Sequence, residues 1–186
     1  MLAAGAGSRF GGSKLMAPLH GEPLICTSVR RALLSPIAMV HVVTGDDHAR
    51  IASALAQFGR KVRVVQNPKW QEGISTSLKV GIASLPKETL AALIFLGDMP
   101  WIPETLSSEL LAKVGNGALA AYPVHNGKPG HPVSLHKSGF SLTRQTKCDE
   151  GLGKILRRIE DRVVAIACND PGCIRDVDSP ADLPAC

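Results

Sequence analysis

The sequence predicts a three-layer α/β domain built on a mostly parallel sheet. Apolar runs alternate with amphipathic segments along the whole chain, and several runs are unbroken, as in residues 90–96 (LAALIFL). Strands buried on both faces read as continuous apolar runs, and helices between parallel strands form right-handed crossovers. The 186 residues match the size of one ordinary domain, so residues 1–186 are expected to form a single unit.

The strands are short apolar segments rich in Val, Ile, Leu and Ala. They are predicted at residues 1–4, 39–44, 61–66, 90–96, 118–123 and 163–168. Parallel strands usually have about five to six residues. Because only four residues precede Gly5, the first strand is expected to be clipped, with several native residues ahead of Met1.

Amphipathic spacing predicts helices between these strands, at residues 22–34, 75–85, 103–114 and 151–160, with a short terminal helix at 179–183. One further helix is expected to start at Asp46 or Asp47, run to Phe58 and end at Gly59. In open α/β sheets, ligands bind at the carboxyl ends of the strands. The loops that follow the strands are therefore the expected location of the functional residues.

The charge balance favours an anionic small substrate. Lys plus Arg number 21 and Asp plus Glu 16, which gives a net charge of +5. A solvated basic surface is the alternative explanation of this excess of positive charge. Aromatic residues make up only 4%, too few for a surface that stacks bases, so no nucleic-acid partner is expected.

The cysteine pattern and the hydropathy indicate the cellular compartment of the protein. The five cysteines are scattered without a CxxC pair, so neither a zinc site nor a disulfide framework is predicted. No run approaches the roughly 18 apolar residues of a membrane span, and no signal peptide is recognisable. We expect a cytoplasmic protein with no membrane partner.

A glycine-rich segment, residues 2–14 (LAAGAGSRFGGSK), follows the first strand. Glycines let the main chain approach a ligand, successive N–H groups can hold phosphate oxygens, and Arg9 and Lys14 add positive charge. A P-loop is excluded because Leu15, rather than Ser or Thr, follows Lys14. The dinucleotide fingerprint fails because Phe10 stands where its third glycine belongs. The segment therefore indicates another kind of phosphate cradle, with a flexible surface loop as the alternative.

Five motifs in order resemble the MobA-like nucleotidyltransferases, and within them the molybdenum cofactor cytidylyltransferase (MocA-like) group. They are LAAG-x-G-x-R-x-G-x-x-K at 2–14, EGISTSL at 72–78, GDMP at 97–100, GHPV at 130–133 and DVDSPADL at 176–183. The resemblance implies a glycosyltransferase-A-like (Rossmann-like) fold. It also implies transfer of CMP from CTP to the terminal phosphate of molybdenum-bound molybdopterin, with release of pyrophosphate. A molybdenum hydroxylase or another acidic protein is the macromolecular partner to consider.

Two aspartates are candidate metal ligands. Asp98 follows an apolar strand after Gly97, which places a carboxylate at the mouth of the sheet, where Mg²⁺ would meet phosphates. A helix N-cap is the alternative for Asp98. The resemblance assigns a metal-binding role to Asp178, and capping of the terminal helix is its alternative. Mg²⁺ is the expected ion, with Mn²⁺ as a second choice.

The resemblance also assigns residues to the substrates. Arg9, Lys14 and Asp98 are the expected catalytic residues. The expected nucleotide-binding residues are Leu2, Ala3, Ala4, Gly5, Gly7, Arg9, Lys14, Gly73, Ser75 and Ser77. Ser75 is alternatively a helix cap. Gly130 and His131 are expected to bind the second substrate through a rigid turn, although a lone histidine is often simply packed or exposed.

Some features depart from the family pattern and leave alternatives open. Gly153 stands where the family customarily has Arg, which shifts the expected phosphate contact to Lys154. The basic residues 154–162 form either a solvated helix face or a surface for an acidic partner. The GGSK ending of the glycine-rich segment is partway toward the pattern of the guanylyltransferases, so GTP use is one alternative. Two further alternatives are transfer to another phosphate acceptor and a role as a non-catalytic cofactor carrier.

Overall fold

The computed structural model describes residues 1–5, 10 and 12–183. Its strands are β1 (Leu2–Ala3), β2 (Pro18–Leu19), β3 (Glu22–Pro23), β4 (Val40–Thr44), β5 (Val62–Gln66), β6 (Ala91–Ile94), β7 (Ala120–His125), β8 (Lys128–Pro129), β9 (Val133–His136) and β10 (Val163–Ala167). Its α-helices are α1 (Leu24–Leu33), α2 (His48–Leu55), α3 (Ile74–Ala83), α4 (Leu106–Gly115) and α5 (Leu152–Leu156).

The central sheet has the order β5-β4-β1-β6-β9-β7-β10. Leu2 joins its two halves, because its N–H donates to Phe95 O at 2.8 Å and its carbonyl accepts from Gly97 N at 2.8 Å. The pairs of β1 with β4, β4 with β5 and β7 with β10 are parallel. Only β9 among these strands runs against its neighbours β6 and β7. The predicted mostly parallel α/β sheet is therefore confirmed.

The antiparallel strand β9 was not predicted. Its four residues, VSLH, follow a Gly-Pro-rich turn and give too short a run to separate from a loop. Leu135 and Ser134 are fully buried, because β9 lies between β6 and β7. Position in the middle of the sheet, rather than local pattern, makes this segment a strand.

Several helix bounds differ from the prediction. Helix α4 begins at Leu106 instead of residue 103, and α5 ends at Leu156 and continues as 3₁₀ turns. Helix α2 likewise passes into 3₁₀ turns over Ala56–Lys61, where Gly59 has a positive φ of 54°. Glycine adopts this conformation at little cost, so the helical segment is interrupted at Gly59 as predicted, although the α-helix itself already ends at Leu55.

Two apolar clusters cover opposite faces of the sheet. One contains buried residues of α1, α2 and α4, and the other contains residues of α3 and α5. Adjacent residues Ala120 and Ala121 of β7 belong to different clusters, as expected when side chains alternate across a strand. This arrangement gives the three predicted layers. Among the described residues, no helix is long and apolar enough to cross a membrane.

Candidate active site

Lys14 lies at the centre of a charged cluster at the carboxyl end of β1 and β6. Its Nζ donates to Asp98 Oδ2 at 2.7 Å and lies 3.6 Å from Asp178 Oδ1. The Lys14 side chain is only 15% exposed. Lys14 starts a 3₁₀ turn whose next residue, Leu15, is buried in the core and fixes the turn in place. The fold thus holds one ammonium group against two carboxylates.

The chain after β6 is fixed tightly, which positions Asp98. Ser28 Oγ donates to Gly97 O at 2.7 Å, and a Cβ on Gly97 would lie 3.1 Å from Ile25 Cδ1. Residue 97 therefore has little room for a side chain. Thr105, not Asp98, is the N-cap residue of α4, so the helix-cap alternative for Asp98 is wrong.

A backbone contact brings the acidic segment at residues 176–178 to Asp98. Val177 N donates to Asp98 O at 2.9 Å, and Val177 is fully buried. Burial raises the pKa of Asp176 above its usual value, and the nearby Asp178 and Asp98 carboxylates add to that rise. Three carboxyl groups therefore lie near Lys14.

Asp178 does not cap the terminal helix. Ser179 is the N-cap residue of the 3₁₀ turn Pro180–Asp182, and its N–H donates to Asp182 Oδ2 at 2.7 Å. Asp178 N donates to the same oxygen at 3.0 Å. The capping hydrogen bonds thus leave the Asp178 carboxylate directed toward Lys14.

A cavity of about 350 Å³ opens beside this cluster. It is lined by Leu2, Ala4, Gly5, Trp70, Gln71, Gly73, Ile74, Ser77, Leu96, Asp98 and Asp149. A smaller cavity of about 90 Å³ adjoins it and includes Ala3, Ala4, Gly5 and Lys14. The fold thus brings most of the predicted nucleotide-binding residues to one place. Gly7 and Arg9 lie outside the described residues.

Of the nucleotide-binding residues predicted in the segment 73–77, only some line this cavity. Gly73 needs to be glycine, because its φ is 106° and a Cβ there would lie 2.4 Å from the Cys148 carbonyl carbon. Ser77 lines the cavity, whereas Ser75 is 1% exposed, does not line it and donates its N–H to Cys148 O at 3.1 Å. Gly73 is the N-cap residue of α3, so the alternative that Ser75 caps this helix is wrong.

Asn67 is a buried organising residue that the sequence analysis missed. It directly follows β5, and its side-chain amide donates to Ser77 Oγ at 3.0 Å and Thr76 Oγ1 at 2.8 Å. Lys69 N donates back to Asn67 Oδ1 at 3.0 Å. The signal was available, since a polar residue at the carboxyl end of a predicted strand is a candidate for the ligand-binding edge.

Trp70 was also missed. It lines both cavities and packs on Gly45, where a Cβ would lie 2.7 Å from Trp70 Cγ and 2.8 Å from Ala4 O. Gly45 therefore lets an indole ring approach the backbone at the start of the glycine-rich segment. A half-buried aromatic ring at this position offers an apolar face to a planar ligand.

A third cavity, of about 190 Å³, contains Gly130 and His131. His131 Nδ1 lies 3.3 Å from Ile94 O, and burial lowers the pKa of His131, which favours the neutral ring near pH 7. A Cβ on Gly130 would lie 2.3 Å from Cys173 O, the atom that accepts the His131 N–H at 2.7 Å. Gly130 is thus required by packing.

This third cavity adjoins the 350 Å³ cavity, because Leu2, Ile74 and Leu96 line both. Arg157 also lines it. Lys154, the expected substitute for the family arginine, instead pairs with Glu150 on the helix surface. Arg157, rather than Lys154, is therefore the basic residue that lines this cavity.

The described side chains offer too few ligands to bind a metal ion by themselves. Among residues 1–5, 10 and 12–183, no group of three or more His, Cys, Asp or Glu side chains is arranged to hold a metal ion. Asp98 and Asp178 remain the two carboxylates that share a cation, the Lys14 ammonium. A divalent ion there would need further oxygen ligands from substrate or water.

Sequence comparisons assign the chain to a family. The model of the MobA-like NTP transferase domain matches residues 1–163, and the chain belongs to this family of nucleotidyltransferases. It is 30% identical over 184 residues to the molybdenum cofactor cytidylyltransferase of Escherichia coli strain K12, covering 97% of this chain and 90% of the relative. The resemblance predicted from the five motifs is confirmed.

Solved structures show the same fold. The homologue of Mycobacterium tuberculosis Rv0371c from Mycobacterium sp. strain JC1 superposes with a TM-score of 0.84 at 24% identity, over 98% of this chain and 90% of that one. A manganese complex of Rv0371c from M. tuberculosis H37Rv gives a TM-score of 0.77 at 21% identity, over 97% and 92% of the two chains.

Proposed function

We propose that this chain transfers the CMP group of CTP to the terminal phosphate of molybdenum-bound molybdopterin and releases pyrophosphate. The observation that carries the proposal is the Lys14 ammonium, held between Asp98 and Asp178 beside the 350 Å³ cavity. A triphosphate needs a cation and metal-binding oxygens at one place. The identity to the E. coli cytidylyltransferase supports the choice of CTP and of the acceptor.

The reaction needs alignment more than proton transfer. An oxygen of the acceptor phosphate attacks the α-phosphorus of CTP, the bond to the bridging oxygen breaks, and pyrophosphate leaves with the electron pair. A phosphate monoester is mostly ionised at neutral pH, so no general base is required. The chain contributes by orienting both substrates and by stabilising the charge that develops on the leaving group.

Lys14 supplies the fixed positive charge for the leaving pyrophosphate. It is mostly shielded from solvent, so its charge acts with little screening. The backbone at Ala4 and Gly5 lines the same space and offers close approach to phosphate oxygens. Arg9 and Gly7 keep their predicted roles in this proposal.

The carboxylate pair fits a divalent ion. Asp98 and Asp178 both approach the Lys14 ammonium, so their oxygens already share a cation, and hard carboxylate oxygens suit Mg²⁺ or Mn²⁺. When bound, such an ion would offset negative charge on the α-phosphate and on the leaving oxygens. The manganese complex of the structural neighbour Rv0371c supports the choice of a divalent metal ion.

The base and the acceptor occupy adjoining spaces in this proposal. Gly73, Ser77 and Trp70 line the nucleotide cavity, where backbone and hydroxyl groups can read a base edge and the indole can cover an apolar face. Gly130, His131 and Arg157 line the neighbouring cavity, which suits a planar anionic acceptor. The expected single domain of residues 1–186 and the expected cytoplasmic location remain predictions.

The test incubates CTP labelled at its α-phosphate with molybdenum-bound molybdopterin. It measures transfer of the label to the acceptor and release of pyrophosphate. Asp98→Ala should lower kcat/KM about 100- to 1000-fold, since one lost electrostatic contact is worth about 3–4 kcal/mol in such sites. Asp161→Ala, which removes an exposed aspartate, is the matched control and should change the rate less than twofold.

A nucleotide panel completes the test. CTP should be used in preference to GTP, ATP and UTP. Preference for GTP would move the chain to the sister guanylyltransferase activity. Release of no pyrophosphate from any nucleotide with this acceptor would reject the proposed acceptor.

A further inference from the structure

Two cysteines that the proposed reaction does not use lie together at the end of β10. Cys168 directly follows this strand, and Cys173 is the last residue of the 3₁₀ turn Pro171–Cys173. Cys168 Sγ donates to Asp170 O at 3.4 Å, and Cys173 N lies 3.5 Å from the same oxygen. The tight turn between the two cysteines therefore folds both of them back onto a single carbonyl group.

The two thiols differ in exposure in a way that suits stepwise oxidation. Cys173 is fully buried, whereas Cys168 is partly exposed. The two side chains interact directly, and burial together with this interaction raises the pKa of the Cys173 thiol, which keeps it protonated. Thiol–disulfide exchange begins at an accessible sulfur, and a neighbouring thiol completes it. Cys168 is therefore the sulfur that meets an oxidant, and Cys173 is the sulfur that closes the bond.

Backbone contacts link Cys173 to the residues of the third cavity. Cys173 O accepts the His131 N–H at 2.7 Å, and Gly130 packs against the same carbonyl. Cys168 N donates to Val124 O at 2.9 Å, which extends the pairing of β10 with β7. Because the sheet holds Cys168, a movement that joins the two sulfur atoms falls on the turn that carries Cys173.

We propose that Cys168 and Cys173 form a reversible disulfide that shifts the Cys173 carbonyl and thereby changes how His131 is held. A bond between two sulfur atoms is shorter than a contact between two thiols, so closure draws the turn toward β10. Disulfides that are exposed or that strain their surroundings are the labile, regulatory ones. The effect of the disulfide on acceptor binding rests on the proposed function, whereas the disulfide itself does not.

The oxidant is a small disulfide such as glutathione disulfide. The Cys168 thiolate attacks one of its sulfur atoms, and one glutathione thiolate leaves. The Cys173 sulfur then displaces the second glutathione from Cys168. The protons of the two protein thiols end on the two glutathione molecules. Two protein thiols are thus oxidised to one disulfide, and one glutathione disulfide is reduced to two thiols.

Peptide mapping tests the disulfide directly. Trypsin cleaves after Arg162 and Arg175, so one peptide, residues 163–175, contains both cysteines. The full chain is incubated with glutathione disulfide, alkylated in denaturant and digested. The peptide should be unalkylated and lighter by two hydrogen atoms than its reduced form, and dithiothreitol should restore both alkylation sites. Two alkylated cysteines, or a glutathione adduct at Cys168 beside an alkylated Cys173, would overturn the proposal.

Hydrogen exchange of the His131 amide tests the coupling to the third cavity without an activity assay. Oxidation should speed this exchange at least about tenfold in the unaltered chain and leave it unchanged in Cys168→Ser. Cys148→Ser, which removes an exposed cysteine, is the matched control and should respond as the unaltered chain does. Unchanged exchange in a chain that mapping shows to carry the disulfide would overturn the coupling.

Steady-state kinetics test the consequence for the proposed reaction. Oxidation should raise the KM for the acceptor at least about fivefold, change the KM for CTP less than about twofold, and be reversed by dithiothreitol. An equal rise in both KM values would contradict an effect that acts through His131. If the chain shows no turnover with this acceptor, the proposed function fails, while mapping and hydrogen exchange still decide the disulfide.

Discussion

Replacing Lys14 by methionine tests the charged cluster most directly. Methionine keeps the length and most of the volume of the lysine side chain but removes the ammonium, which contacts Asp98 at 2.7 Å and Asp178 at 3.6 Å. With Lys14 15% and Asp98 23% exposed, solvent screens this charge only in part. A preorganised electrostatic contact of this kind is worth about 3–4 kcal/mol in the transition state.

The expected result is a loss of about 100- to 1000-fold in kcat/KM for pyrophosphate release from CTP in the presence of acceptor. Lys69→Met is the matched control. The Lys69 side chain is 70% exposed, and its ammonium lies 3.8 Å from Glu72 in a solvated pair, so its loss should change the rate less than twofold. Thermal melting of both variants shows whether the fold is kept. A folded Lys14→Met enzyme with a rate within fivefold of the unaltered chain would refute the assigned role.

Three further outcomes are expected. Gly130→Ala should destabilise the chain by about 2 kcal/mol or more, measured by urea denaturation, because its Cβ would lie 2.3 Å from Cys173 O; a change below 0.5 kcal/mol would contradict the packing argument. Trp70→Ala should raise the KM for the nucleotide at least about fivefold with a smaller change in kcat, in steady-state kinetics, since Trp70 lines the proposed nucleotide cavity; an unchanged KM would remove it from that site. Stability of the chain with a free Met1 amine should rise between pH 5 and pH 8. The folded amine has a pKa of about 5 against 8.0 when unfolded, so the unfolded state binds more protons in this window. The full difference is on the order of 4 kcal/mol, and urea denaturation at several pH values checks it; a flat profile would show that the amine is solvated.

The sequence by itself determined the family, the layer order and the edge of the sheet where the Lys14–Asp98 cluster lies. The apolar run at residues 90–96 predicted a strand, and β6 (Ala91–Ile94) lies within it. The glycine-rich segment and the aspartate after β6 were found because residues that follow buried strands lie at one edge of a parallel sheet. The same reasoning could have found Asn67, which directly follows β5.

Tertiary structure decided which of these residues meet. Lys14 and Asp98 are separated by 84 positions in the chain, and no local pattern encodes their 2.7 Å contact. Ser75 and Ser77 share one motif, yet α3 buries the first away from the cavity and presents the second to it. Strand β9 exists because β6 and β7 enclose it on both sides. The physical reason is that periodicity reports only whether a residue is buried, whereas the partners of a buried group are chosen by the packing of distant segments.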